Sequence, residues 1–224
     1  MKKTIQFLSM LAIISLSFAC SASFPVKEEG SQKIYTSQFD NKKGMIHGVN
    51  LAKMAKGAPL RIVAMVHTSK SPEDAWKASL FEIAKWSGGQ ITEVKFRKQA
   101  VDGGDQEWSS VAKGDYRNCN NPKEGQFLVE EIRHIDHGKK FYVYSVDFEN
   151  TKGVPFPMKN HTGAVTVEAD GAGGSLLTFR AYFDRNLNPM SLVFPTMFRN
   201  AFNQYMNNFA QTYGGVVVNS KFNK

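Results

Sequence analysis

The sequence predicts an α+β domain in which a curved antiparallel sheet of about seven strands wraps around a long C-terminal helix. Apolar residues alternate on both sides of a glycine-rich turn in 161–183, as they do in two antiparallel strands with one apolar face. Aromatic side chains recur at steps of three and four in 189–213, which indicates one amphipathic helix. Because the apolar sheet face needs a cover, we expect its odd-numbered residues to face Phe198 and Phe202.

The order of elements along the chain is predicted to be strand, helix, six strands and long helix. The first strand, 60–68, precedes a helix with Ser71 as its N-cap and Pro72 in its first turn, which continues to a Gly-Gly pair at 88–89. Turns rich in glycine, asparagine and proline separate the later strands at the spacing of an antiparallel meander. Those strands are expected at 91–99, 107–118, 126–136 and 139–149, followed by the pair within 161–183.

The N-terminus has the layout of a secretory signal peptide over residues 1–22, with a mainly apolar run at 5–19. Polar side chains interrupt this run, and it is shorter than the ~20 apolar residues of a membrane span. Cleavage after Ala22 is one interpretation. The other is a lipoprotein signal over 1–19, in which a lipid on Cys20 would associate the protein with a membrane. Either way we expect an exported bacterial protein, periplasmic or membrane-anchored as a lipoprotein.

Three further segments complete the predicted domain organisation. Residues 23–57 are polar and lack an apolar period, which predicts a linker with one short packed strand or helix near its end. For the same reason, residues 21–55 are expected to tolerate deletion with little loss of stability. The folded domain is expected at 58–218, with a C-terminal tail at 219–224.

The distribution of charge argues against nucleic acid as a partner. The formal net charge is +8, or +6 once Lys2 and Lys3 are removed with the signal segment. The basic residues are scattered and mixed with acidic ones, which indicates a solvated surface and not a nucleic-acid footprint. Export would also separate the protein from nucleic acid.

No motif typical of cofactor, metal or nucleophilic chemistry stands out, so no cofactor, metal ion or catalytic residue is assigned. His134 and His137 have a metal-like spacing but no cysteine or carboxylate cluster to complete a site. The glycine-rich segment 170–175 joins two strands, which predicts a hairpin turn and not a phosphate-binding loop. Cys119 is expected to be a lone thiol, because Cys20 is either acylated or removed.

Two polar residues are expected on the concave face of the sheet. Alternation places His161 beside Val165, where it is either a hydrogen-bonded core residue or a ligand contact. Glu130 is expected to face inward with the other even-numbered residues of 128–134, His134 included. A buried carboxylate is costly unless it is paired. Glu130 therefore meets a basic partner such as Arg117, binds the polar end of a ligand through water, or is exposed.

Several segments resemble a known family. They read SPEDAWKASL after the first strand, GDYRN before a turn, FLVEEIRHID, FYVYSVDF, KNHTGAVTVEAD, and GGSLLTFRAYF before the long helix. Over roughly residues 58–215, these segments and the order of elements resemble the START-like, birch-pollen-allergen-like (SRPBCC) superfamily with its helix-grip fold. Within it, they resemble the polyketide cyclase/dehydrase and plant abscisic-acid-receptor branch. The gate sequence of the receptors is absent from residues 119–125.

The resemblance implies a deep apolar cavity between the sheet and the long helix, entered between the loops 119–125 and 150–159. The ligand-facing positions of the superfamily fall on Glu130, Tyr144, Val146, His161, Gly163, Phe198 and Phe202. This predicts an exported binding protein that holds a hydrophobic small molecule or a lipid. One alternative is an enzyme resembling a polyketide cyclase or dehydratase, with Glu130 and His161 as acid/base groups. Another is a structural protein whose own aromatic side chains fill the cavity.

Overall fold

The structure is a computed structural model that describes residues 39–40, 44–100, 103–154, 158–185 and 194–222. The expected signal segment, Cys20 and the expected start of the long helix near Pro189 lie outside these ranges. Among the helices within the ranges, none is both long enough and apolar enough to cross a bilayer.

The described residues form one large antiparallel sheet and one small one. The small sheet contains β1 (Phe39–Asp40), β2 (Met45–Ile46) and β3 (Val49–Asn50). The strands of the large sheet are β4 (Leu60–Thr68), β5 (Glu93–Arg97), β6 (Asp105–Gln106), β7 (Tyr116–Asn121), β8 (Gln126–Asp136), β9 (Phe141–Val146), β10 (Met158–Ala169), β11 (Ser175–Arg185) and β12 (Gly215–Phe222). Their order across the sheet is β12-β4-β11-β10-β9-β8-β7-β5-β6.

The helices are α1 (Leu51–Met54), α2 (Pro72–Leu80), α3 (Ile83–Trp86) and α4 (Phe194–Tyr213), with 3-10 turns at Trp108–Ser110 and Pro122–Glu124. The predicted α+β class and the sheet wrapped on a long C-terminal helix are confirmed. The described part of the large sheet has nine strands where about seven were expected.

Most predicted elements are present, although several differ from their expected extent. The strand expected at 107–118 begins only at Tyr116, because Trp108–Ser110 form a 3-10 turn. The helix expected to continue to 88–89 is divided into α2 and α3. Side chains from the sheet bind the last carbonyl oxygens of α2, at Ser79 and Leu80, so this helix can end without burying unsatisfied acceptors.

The strand β12 was not predicted. Residues 219–224 are expected to form a tail, whereas β12 extends through Phe222. It forms the edge of the sheet and pairs with β4, with a bulge between Val217 and Asn219. Gly214, with a positive φ of 68°, allows the chain to turn from α4 into this strand.

The helix α4 covers the inner face of the sheet, as the sequence predicts. The ring of Phe179 on β11 lies 6.3 Å from that of Phe202 and 6.2 Å from that of Phe209. The ring of Phe183 lies 5.4 Å from that of Phe198. These distances are typical of packed aromatic pairs, so α4 and the inner face share one apolar core.

The N-terminal segment forms a second apolar core on the outer face of the sheet. Ile46, Leu51 and Ala55 are buried against outward-facing residues of β9, β10 and β11, which are Phe141, Val143, Ala164 and Tyr182. A short packed element was expected here. The burial is more extensive than that expectation, and it contradicts the idea that residues up to 55 contribute little to stability.

Candidate ligand-binding site

The seven predicted ligand-facing residues lie along one path from the sheet to α4. Glu130 on β8 is paired with Val146 on β9, and Tyr144 on β9 is paired with Gly163 on β10. His161 follows on β10, and its ring lies 6.0 Å from the ring of Tyr144 and 6.0 Å from that of Phe198. Phe198 and Phe202 on α4 complete the path, with ring centroids 6.2 Å apart.

The two halves of α4 pack against the sheet differently. In the C-terminal half, Met206 and Phe209 are 1% and 0% exposed. In the N-terminal half, the inward side chains Phe198, Phe202 and Tyr205 remain partly exposed although they contact the apolar core. The inward side chains of the N-terminal half are therefore more accessible than those of the C-terminal half. We refer to the region between this half of α4 and the sheet, around Tyr144, His161, Phe198, Phe202 and Tyr205, as the chamber.

A buried ion pair lies on the sheet beside the chamber. Arg117 on β7 is directly opposite Glu130 on β8, and its Nε donates to Oε2 of Glu130 at 2.7 Å. The side chains of the two residues are only 2% and 6% exposed. Of the three surroundings considered for Glu130, the basic partner is the one observed. Arg117 is thus the partner of Glu130, and alternation along β7, which places Arg117 and Asn118 on opposite faces of the sheet, is the signal in the sequence for its inward position.

Further contacts fix the guanidinium group of Arg117. Its Nη1 donates to the carbonyl oxygen of Leu80 at 3.1 Å and to the hydroxyl of Tyr142 at 3.2 Å. The rings of Tyr142 and Tyr144 lie 5.2 and 4.8 Å from its central carbon, within range of cation–π attraction. Burial opposes the charged form, but the carboxylate of Glu130 outweighs it and holds the pKa of Arg117 well above its usual value. Arg117 therefore stays charged.

Two polar atoms at the ion pair could each form a further hydrogen bond. Within the part of the chain that the structure describes, Oε1 of Glu130 and the hydroxyl of Tyr144 have no hydrogen-bond partner. Burial, followed by the charge of Glu130, raises the pKa of Tyr144 well above its usual value, so its hydroxyl stays protonated. These two atoms can accept and donate hydrogen bonds at the edge of a mainly aromatic chamber.

Cys119 lies next to the ion pair as a buried free thiol, with Sγ 3.7 Å from Oε2 of Glu130. Burial, followed by the charge of Glu130, raises the pKa of this thiol. The group is therefore protonated, and a protonated buried thiol is a poor nucleophile.

Gly163 leaves room for the side chain of Tyr144 on the neighbouring strand. A Cβ at this position would collide with the ring of Tyr144, which lies beside the glycine and between Arg117 and His161. Replacing Gly163 with alanine is expected to displace this ring and lower the free energy of unfolding by about 1 to 3 kcal/mol. Urea unfolding measures the change. In the Tyr144→Ala background, where the collision is absent, the same replacement should cost clearly less, and an equal cost would contradict this account.

His134 does not face the chamber, contrary to the expectation from alternation. A bulge in β8 between Ile132 and His134 shifts the register, and the ring of His134 packs against Phe141 on the outer face. The ring of His137 instead contacts Trp76, and its Nε2 lies 2.9 Å from the carbonyl oxygen of Val111. Among the described residues, no three histidine, cysteine or carboxylate side chains converge as a metal site would require.

The segment 170–175 is a hairpin turn between β10 and β11, as predicted. The carboxylate of Asp170 accepts from the backbone amides of Ala172 and Gly174 at 2.7 and 2.9 Å. These bonds close the turn. Its backbone amides therefore bind the carboxylate of Asp170, as in a hairpin turn, and do not form a phosphate-binding loop.

His161 is uncharged near neutral pH, because burial lowers its pKa from 6.5 to about 4. In the unfolded chain its pKa returns to about 6.5, so between these values the unfolded state binds more protons and stability falls as the pH falls. Lowering the pH from 7 to 4.5 is expected to cost about 2 kcal/mol through this residue alone. Urea unfolding at both pH values measures the loss, and His161→Gln should lose less than the wild type by this amount. An equal loss in both proteins would refute the assignment.

Several solved structures resemble this chain in fold at low sequence identity. The solved structure of the protein XoxI from Bacillus cereus has a TM-score of 0.50 and 16% identity, covering 68% of this chain and 95% of its own. Ara h 8.0201 gives a TM-score of 0.48 at 14% identity, with 70% and 99% covered. Major latex-like protein 151 from Panax ginseng gives 0.44 at 13% identity, with 67% and 95% covered. No protein-family model and no curated protein matches the chain.

Together with the strand order and the position of α4, the likeness to XoxI at a TM-score of 0.50 supports the predicted fold. The match covers most of each solved chain, and at these identities it says nothing about ligands or chemistry. The chain has a helix-grip fold, in which an antiparallel sheet packs against a long C-terminal helix.

Proposed function

We propose that this chain is a binding protein that holds a hydrophobic small molecule or a lipid in the chamber between α4 and the sheet. The observation that carries the proposal is the difference between the two halves of α4. Phe209 is completely buried, whereas Phe202, two turns earlier on the same side of the helix, remains partly exposed. Aromatic surface left accessible inside a fold is what an apolar ligand would cover.

The polar groups of the chamber support binding more than catalysis. The enzymatic alternative, a cyclase or dehydratase of the polyketide cyclase branch, needs Glu130 and His161 to exchange protons with a substrate. Glu130 is held by the charged group of Arg117, and the low pKa of His161 makes it a weak base. A carrier needs neither group to titrate, so the arrangement favours a binding role. No catalytic residue is proposed.

Mutations on one face of α4 test the binding role. Phe202→Trp is expected to enter the chamber and weaken the uptake of a fluorescent polycyclic probe while the free energy of unfolding changes by less than about 1 kcal/mol. Phe209→Trp is the matched control, because Phe209 has no free space around it. This variant is expected to lose about 1 to 3 kcal/mol through overpacking. Probe titration and urea unfolding measure both. Unchanged uptake by Phe202→Trp would contradict the proposal.

We also propose that the protein is exported through its N-terminal segment. The motivation is the order of lysines, apolar run and small residues in 1–22. Mass spectrometry of the mature protein from a bacterial host distinguishes the two forms. Cleavage after Ala22 gives an unmodified chain beginning at Ser23, and lipoprotein processing gives a chain beginning with a lipid-modified Cys20. A mature protein that retains Met1 would rule out both.

A further inference from the structure

A second cavity lies on the surface, apart from the chamber. It has a volume of about 290 Å³ and is formed where the loop after β4, the helices α2 and α3, and the C-terminal end of α4 meet. Its lining residues are Lys70, Asp74, Lys77, Glu82, Lys85 and Tyr213. We call it the lysine pocket. Neither the predicted ligand positions nor the proposed function involves these residues.

The acidic residues of the lysine pocket are already satisfied by the protein. Glu82 binds Nζ of Lys85 through Oε1 at 2.9 Å and accepts from the hydroxyl of Tyr213 through Oε2 at 2.7 Å. Burial opposes its ionisation, but these two hydrogen bonds outweigh it and lower the pKa of Glu82. The carboxylate of Asp74 accepts from the hydroxyl of Ser71 at 2.8 Å, at the start of α2.

Two of the lysines in the pocket are not neutralised by a salt bridge. In the described parts of the chain, Lys70 and Lys77 form no salt bridge, whereas Lys85 is paired with Glu82. The backbone of Lys70 is fixed, because its amide donates to Oγ1 of Thr68 at 3.2 Å and its carbonyl oxygen accepts from Ser175. Nζ of Lys77 lies 5.9 Å from the ring centre of Trp108. The backbone of Lys70 is therefore fixed at the cavity, and the ammonium group of Lys77 lies within range of cation–π attraction to Trp108.

We propose that the lysine pocket binds a phosphate group, either free or on a small ester or lipid headgroup. Three ammonium groups and two engaged carboxylates leave a net positive charge, and ammonium groups with no salt bridge are donors that phosphate oxygens accept from strongly. The volume exceeds the size of one phosphate and leaves room for the group that carries it. Tyr213 is the last residue of α4, and its carbonyl oxygen accepts from the hydroxyl of Thr68 at the end of β4. The lysine pocket is therefore attached to both elements.

Calorimetric titration with glycerol phosphate, at constant ionic strength, tests the proposal. We expect saturable binding that the double substitution Lys70→Gln/Lys77→Gln weakens about tenfold or more, which corresponds to ~1.4 kcal/mol. Lys53→Gln/Lys56→Gln is the matched control, since it removes the same charge from the exposed surface around α1. This control should bind like the wild type. No saturable binding, or equal weakening in both variants, would overturn the proposal.

Vesicles distinguish the source of the phosphate. Phosphatidic acid presents a phosphate monoester at a membrane surface, and vesicles of phosphatidylcholine, a zwitterionic phosphodiester with no net charge, serve as the control. If a lipid headgroup is the ligand, sedimentation with phosphatidic acid vesicles should be lost in Lys70→Gln/Lys77→Gln and retained in Lys53→Gln/Lys56→Gln. If only the soluble ester binds, the ligand is a free phosphate ester. If the protein binds neither glycerol phosphate nor phosphatidic acid vesicles, the proposed phosphate site is wrong. The proposed ligand of the chamber is unaffected by that result, because the two sites share no residue.

Discussion

Replacing Arg117 with methionine is expected to lower the free energy of unfolding by about 3 to 5 kcal/mol, because Glu130 would remain buried without its partner. The substitution also removes the donor that binds the carbonyl oxygen of Leu80, which leaves the end of α2 unsatisfied. Urea unfolding monitored by tryptophan fluorescence measures the loss. Trp76 and Trp86 are both buried, so their fluorescence should report the transition.

The double variant Arg117→Met/Glu130→Leu separates the ion pair from the space that it occupies. Replacing both charged groups with apolar ones removes the unpaired charge, so most of the lost stability should return. Lys98→Met, which removes the surface-exposed partner of Asp115, is the control and should cost about 1 kcal/mol or less. If Arg117→Met alone proved as mild as this control, the ion pair would not be buried as described.

Replacing Leu51 with alanine is expected to lower the free energy of unfolding by about 2 to 5 kcal/mol. The side chain of Leu51 is 0% exposed and belongs to the core that α1 forms with Phe141, Val143 and Tyr182 on the outer face of the sheet. Its removal leaves a cavity between the N-terminal segment and the sheet. Urea unfolding of the full chain measures the effect.

Lys53→Ala provides the matched control on the same helix, because this side chain is exposed and should change stability by less than about 0.5 kcal/mol. A negligible effect of Leu51→Ala would restore the original expectation that residues up to 55 are a dispensable linker. A large effect would show that the outer face of the sheet has its own structural core.

Local sequence patterns were sufficient to place the strands and helices with a strong period. The limits of β4 and β8 match the predicted ones, and Ser71 caps α2 by accepting from the amide of Asp74. These elements have strict alternation, or a start signal whose chemistry depends only on neighbours in sequence. The pairing of Arg117 with Glu130 also follows from consecutive strands joined by a short turn.

The elements that were missed depend on contacts distant in sequence. The last strand, β12, pairs with the first strand of the large sheet, β4, and no local pattern identifies a partner about 150 residues away. The N-terminal core is made by elements of two to four residues, which are too short to show a period. The bulge that turns His134 outward likewise inserts one residue without a glycine or proline to mark it.

The candidate site could be predicted only in part, because some of its contacts follow from local periodicity and others from strand pairing. Alternation on β9 and β10 and helical spacing on α4 place Tyr144, His161 and Phe202 toward one another. The sequence alone did not show that Arg117 would neutralise Glu130 or that the ring of Tyr144 would cover Gly163. Both depend on which strands are neighbours and on the depth of burial, which are properties of the complete sheet.

Native mass spectrometry of the protein, purified without detergent and mixed with a lipid extract, tests the central claim most directly. The account predicts a one-to-one adduct with the mass of a small hydrophobic molecule or lipid, and it predicts that Phe202→Trp reduces the adduct while Lys53→Ala does not. A ligand in the proposed site would cover the partly exposed aromatic side chains of the chamber. A spectrum of the unmodified protein that shows only the unbound chain after mixing with the lipid extract would contradict the claim that the chamber is a binding site.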